Sequence, residues 1–156
     1  MGRFLQGGDI LCLYGELGSG KTVLTKGLAK GLGVANEDRV RSPSFVLIHR
    51  YEGRVPIYHA DLFRLAGPAD VDDIGLHELL GGEGIAIIEW ADKLEPSLPT
   101  ERLDITLQHG EADTRVITLQ GHGARYLRLL DECGDDLARA PDTCCSGRDL
   151  SELVPT

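Results

Sequence analysis

The stretch DILCLYGELGSGKT, residues 9–22, runs from an apolar segment into a glycine-rich turn and closes on Gly20, Lys21 and Thr22. Residues 9–14 are apolar and short enough for a buried strand, and the glycines end it. Past Lys21, the residues Leu24, Leu28 and Leu32 recur every four, with Val23 beside them, until Gly31 and Gly33 close the run. That is a helix with a stop. Strand, glycine loop and helix in this order predict a phosphate-binding loop in an α/β fold. Gly15, Gly18 and Gly20 let main-chain N–H groups turn inward on an anion, Lys21 reaches the β and γ phosphates, and the Thr22 hydroxyl suits magnesium. The helix presents its positive N-terminal end to the same point. A glycine-rich surface turn carrying an ordinary lysine does not account for Gly, Lys and Thr at these offsets after a buried strand.

Working outward, residues 45–52 (FVLIHRYE) and 55–60 (VPIYHA), split by Gly53 and Arg54, predict a hairpin-like pair of strands. Residues 68–80 begin on Pro68 and carry acidic side chains in the first turns, as the start of one helix prefers. IAIIE, residues 85–89, is a second fully apolar strand ending in a carboxylate. RLDITLQ and TRVITLQ, with Gly110 between them, predict an antiparallel pair added to a parallel core. The expected architecture is α/β, of the P-loop NTPase type: a mainly parallel sheet flanked by helices, with an antiparallel strand pair near the C-terminal end. A domain is expected over residues 1–124. The remainder, 125–156, reads as a tail that opens with a short amphipathic helix and continues as a polar, irregular and disordered stretch.

Phosphoryl transfer needs an acid to order a metal and its waters. Glu89 follows four apolar residues, as in a Walker B strand, and Asp61 follows VPIYHA. Between the helix and these acids lies RSPSF, residues 41–45, where Pro43 stiffens the chain and holds Ser42 extended. Two hydroxyls, Ser42 and Ser44, are thereby presented where many P-loop proteins keep a nucleotide-sensing switch.

The chain has 156 residues, with 16 Lys plus Arg against 25 Asp plus Glu, a net charge of -9. That sign is wrong for a protein gripping nucleic acid by its own phosphate contacts. No apolar run approaches the roughly 18 residues of a membrane span, and the N-terminus has neither the basic nor the apolar region of a secretory signal. Cys12, Cys133, Cys144 and Cys145 form no CxxC pair, so reduced thiols in the cytoplasm are expected.

Taken together, GELGSGKT, SPSF, YHADLFRL (58–65), IIEW (87–90) and ITLQGHG (117–123) resemble the TsaE family, also called YjeE, in order and spacing over residues 7–124. The resemblance implies a small bacterial ATPase that uses ATP and magnesium in making threonylcarbamoyladenosine (t6A) in tRNA. It further implies binding to the TsaB and TsaD pair, with hydrolysis driving turnover of that complex, so that tRNA is met only indirectly. Carried over by position, the phosphate loop falls on Gly15, Glu16, Leu17, Gly18, Ser19, Gly20, Lys21 and Thr22, and the switch on residues 42–45. Ser44 stands where the family usually has Thr and keeps the hydroxyl. Glu89 and Thr22 then serve the metal, Lys21, Asp61 and Glu89 the chemistry, and Trp90 packs near the nucleotide or the switch. Which of Asp61 and Glu89 acts on the water and which on the metal stays open, as do the roles of His59 and Arg64. The family's usual first strand and helix are expected to be missing, with GRFLQGGD as the end of that helix.

Two other classes share the loop. A small-molecule or nucleoside kinase would normally add an arginine-rich lid, and the insert after Asp61 is a short acidic helix instead. A module that holds ATP without hydrolysing it is the other.

Overall fold

The computed structural model describes residues 1–111 and 114–138. Strand β1 (Ile10–Tyr14) is followed by helix α1 (Lys21–Gly31), then by β2 (Ile48–Glu52) and β3 (Pro56–Asp61). Two short helices, α2 (Pro68–Asp73) and α3 (Leu76–Leu79), lead to β4 (Ile85–Glu89), and β5 (Arg102–His109), β6 (Arg115–His122) and α4 (Ala124–Ala138) complete the order. The six strands form one sheet in the order β2-β3-β4-β1-β5-β6. Its centre, β3-β4-β1-β5, is parallel, and an antiparallel strand closes each edge. The expected class is therefore present, with the hairpin-like pair on one edge and the later pair on the other.

Side-chain alternation along β1 and β4 divides the core between the two faces of the sheet. Leu11, Leu13, Ile85 and Ile87 point to one face, where Leu28 and Ala29 of α1 and Leu32 just past its end cover them. Ile10, Cys12, Ala86 and Ile88 point to the other, under Val71, Leu76, Ala91 and Leu94. Both central strands are buried on both sides, which is why they read as continuous apolar runs.

Three expectations change. The strand expected from residue 45 begins at Ile48, because Val46 N donates to Pro43 O at 2.9 Å and closes residues 44–46 into a turn. The single helix expected over 68–80 is two, broken where Gly75 takes φ +67° and no helix can continue. The helix assigned to the tail belongs to the body: Tyr126, Leu129 and Cys133 are buried in the same cluster as α1. Its Tyr126 hydroxyl accepts from Ile10 N at 2.6 Å, and Arg125 grips both carboxylate oxygens of Asp9 at 3.1 and 2.7 Å. The packed domain thus runs past residue 124, and the expected disordered stretch with Cys144 and Cys145 lies outside the described residues. At the other end, the segment expected to close a helix makes one 3-10 turn, Gly2–Phe4. Arg54 holds it, donating to Gly2 O and Arg3 O and also to Gly31 O at the end of α1.

Candidate functional site

The parallel strands end together, and the loop between β1 and α1 caps that end. Gly15, Gly18 and Gly20 all have positive φ, at 140°, 78° and 107°. At Gly15 no other residue fits, since a Cβ would sit 2.4 Å from Leu107 O and 2.7 Å from Ser19 Oγ. The loop wraps the side chain of Lys21, whose Nζ donates to Gly15 O at 2.6 Å and Glu16 O at 2.9 Å. The ammonium also lies 4.0 Å from the centre of the Trp90 ring. Burial pushes Lys21 below its ordinary pKa, while the Glu89, Asp61 and Asp92 carboxylates pull it back up.

The acids come from the sheet register. β3 and β4 are paired so that Asp61 lies opposite Glu89, which places two carboxylates side by side at the ends of adjacent strands. Both are buried. From the first turn of α1 the Thr22 hydroxyl reaches the Glu89 carboxylate, 2.9 Å from Oε1 and 3.0 Å from Oε2. Asp61 faces the serine segment: Ser42 Oγ donates to Asp61 Oδ2, and Ser44 Oγ is 3.2 Å from Ser42 Oγ. Its other oxygen, Oδ1, accepts from Phe63 N at 3.0 Å. The segment around Pro43 thus sets the Ser42 hydroxyl on Asp61, with the Ser44 hydroxyl beside it.

Among the described residues, two that are not glycine have positive φ, Leu47 and Trp90, at 69° and 60°. Both adjoin the site and both are pinned. Leu47 O accepts from Asp61 N at 3.0 Å, and Trp90 N donates to Leu13 O at 3.1 Å. Such conformations persist where surrounding structure over-determines them, and they concentrate at functional sites. Here they turn the chain away immediately after the serine segment and immediately after Glu89.

A cavity of about 410 Å³ brings most of the predicted residues together, with Leu17, Gly18, Gly20, Lys21 and Thr22 on one wall and Ser44, Asp61, Glu89 and Trp90 on the others. Gly15 and Glu16 line a separate depression of about 420 Å³ with residues 106–109 of β5. Ser19 is fully buried, and its hydroxyl has no hydrogen-bond partner. Two side chains whose roles the sequence left open take definite places. Arg64 lines the cavity and stacks over the Phe45 ring at 4.3 Å. His59, fully buried, sets Nε2 2.8 Å from Glu89 Oε1. The one signal for it was its place two residues before Asp61, on the same face of a strand.

The donor set suits a hard cation beside a polyphosphate: a threonine hydroxyl and two carboxylates, all oxygen, next to one buried ammonium and a glycine loop. Residues 1–117 match the family model described as "Threonylcarbamoyl adenosine biosynthesis protein TsaE". The chain belongs to the TsaE family. Its relatives include the tRNA threonylcarbamoyladenosine biosynthesis protein TsaE of Bacillus subtilis (strain 168), 42% identical over 130 residues, which are 83% of this chain and 80% of that protein. The protein of the same name from Treponema pallidum (strain Nichols) is 40% identical over 119 residues, 76% of this chain and 87% of its own. Among solved structures, the crystal structure of Bacillus subtilis YdiB superposes with a TM-score of 0.74 at 38% identity, covering 86% of this chain and 82% of that one. The TsaE resemblance read from the five motifs is thus shown, together with its fold. No helix among the described residues is long and apolar enough to cross a membrane.

Proposed function

We propose that this TsaE-family chain binds ATP with magnesium and hydrolyses it as the ATPase subunit of the bacterial t6A machinery, driving turnover of the TsaB and TsaD pair in the cytoplasm. The observation that carries the reading is the contact between Thr22 and Glu89, which joins the phosphate loop to the acid at the end of β4 and leaves Asp61 beside it in register. Magnesium, held by Thr22 and Glu89, would neutralise charge that builds on the phosphates during transfer. Lys21 would exchange its two loop carbonyls for phosphate oxygens, since an ammonium gains more from an anion than from a neutral carbonyl. The Gly18 and Gly20 main chain would cradle the phosphates, with Ser44 and Trp90 closing the remaining walls. Asp61 would orient a water, and until then Ser42 donates to it.

A partner is supported by the rim. Leu17, Val23 and Phe63 line the cavity and are 75%, 71% and 47% exposed, and Phe45, 85% exposed, stacks against Arg64 at its edge. Apolar side chains gathered at one opening mark an interaction surface. The -9 net charge favours a protein partner over direct contact with tRNA. Lys21 tied to its own loop and Arg64 stacked on Phe45 both have to be rearranged, so slow turnover is expected from the isolated chain. The test is the steady-state ATPase rate, alone and with the TsaB and TsaD pair, with Lys21→Ala as the blank. Stimulation by the pair that is absent in the variant supports the reading; no hydrolysis in either condition leaves a nucleotide-binding module and sinks it.

A further inference from the structure

His59 is a residue that neither a phosphate nor a metal requires, yet it is fully buried in the strand that carries Asp61. Alternation along β3 sets Ile57, His59 and Asp61 on the α1 side of the sheet, and the register puts His59 opposite Ile87 and Asp61 opposite Glu89. An aliphatic side chain would pack there as Ile57 does. An imidazole brings two nitrogens that both call for partners. It has one: Nε2 lies 2.8 Å from Glu89 Oε1, and since a carboxylate only accepts, Nε2 donates. Nδ1 is buried with no hydrogen-bond partner. The ring is flanked by Tyr51 of β2, 6.3 Å away between centroids, whose hydroxyl contacts the main chain of Arg41. A buried ring kept in place with one nitrogen unsatisfied points to the contact made by the other.

We propose that His59 is the positioning residue for Glu89 and makes its two carboxylate oxygens unequal. Oε1 receives the His59 N–H and lies 2.9 Å from the Thr22 hydroxyl, whereas Oε2 has Thr22 alone, at 3.0 Å. Oε2 keeps more of its lone-pair capacity for the cavity that Glu89 lines, so it is the oxygen offered to a metal ion or its waters. The inference rests on the proposed reading of Glu89 as the magnesium-side acid. It goes further in assigning this task to His59 and in naming the oxygen.

The test compares the full chain with His59→Leu, which keeps apolar bulk without a donor, and His59→Gln, which keeps an N–H at similar reach. ADP affinity is measured by calorimetry across a magnesium titration and in EDTA. In His59→Leu the magnesium concentration for half-maximal enhancement of ADP binding is expected to rise about 10-fold to 100-fold, the range for lost outer partners of a ligand. Affinity in EDTA is expected to stay within about twofold, and His59→Gln to recover most of the loss. The same magnesium dependence in His59→Leu and the parent overturns the proposal. Should the leucine variant fail to fold, the contact is read directly in the nucleotide-free parent, as a solvent-protected Nε2–H signal in ring-nitrogen NMR spectra. Its loss in Glu89→Ala supports the proposal, and its absence in the parent overturns it. A parent that shows the protected signal but binds ADP without any magnesium dependence overturns the magnesium reading of Glu89, and with it the role assigned to His59. The two kinds of failure are therefore distinguishable.

Discussion

On the proposed reading nucleotide binding turns on Lys21, and its present partners are weak competitors for it. Two neutral carbonyls at 2.6 and 2.9 Å hold the ammonium in the loop, and a phosphate offers a charge-assisted bond roughly twice as strong as a neutral one. Lys21→Ala is expected to lower ATP affinity at least 10-fold and turnover at least 100-fold together, measured by calorimetry and phosphate release; unchanged binding would undo the assignment of the loop. Glu89→Ala separates the two quantities. Its carboxylate contacts Thr22 and His59 and no loop carbonyl, so nucleotide should still bind within about 10-fold while hydrolysis falls at least 100-fold. A variant that keeps its rate would remove Glu89 from the chemistry. Both positions stand out in the sequence because their signals are local: one ends a glycine loop and the other ends a buried apolar strand. Asp61 is different. Its pairing with Glu89 comes from the register of β3 on β4, and no spacing within either segment encodes that.

Two of the elements differ from expectation for local reasons and the third for a tertiary one. FVLIHRYE has the composition of a strand along its whole length, yet Pro43 O captures Val46 N and delays the strand to Ile48. In residues 68–80 the proline and acidic start mark α2, and the break comes from Gly75, whose φ of +67° an isolated glycine in sequence does not announce. Helix α4 is legible as an amphipathic helix from the spacing of Tyr126, Leu129, Leu130 and Cys133, but the change of composition near residue 125 assigns it to a tail and does not say what its apolar face covers. That spacing, i, i+3, i+4 and i+7, is one face of a helix, and the structure lays it on the α1 side of the sheet. Deleting residues 125–156 is accordingly expected to remove cooperative unfolding or yield insoluble protein, and the smaller change Leu129→Ala to cost about 2–5 kcal/mol in chemical denaturation. A truncated chain that melted like the parent would return the boundary to residue 124.

For the whole molecule, burial of weak acids sets an alkaline limit. The Cys12 thiol is pushed up from 9.0 to about 12 by burial first, with Asp104 adding to it. Burial likewise pushes the Tyr126 phenol up from 10.0 to about 12, opposed by the bond from Ile10 N. In the unfolded chain these groups release protons at their ordinary values while the folded chain still holds them, so the unfolded state binds fewer protons and stability falls as pH rises. Their contribution is complete below pH 9 and is lost between about pH 9 and pH 12. The unfolding midpoint should decline over that window, and Cys12→Ser should soften the onset at its lower end; a profile that stayed level to pH 12 would contradict the burial. Trp90 offers a readout of a different kind, because it is the one tryptophan in the chain and the emission of the entire protein excited at its red edge is the emission of this ring. Its indole lies against the Lys21 ammonium at 4.0 Å and the Phe63 ring at 4.9 Å. An anion that draws Lys21 away changes the quenching of that indole, so the molecule carries an intrinsic optical probe of its own loop, and a titration with nucleotide can be followed as a change in brightness without attaching any dye.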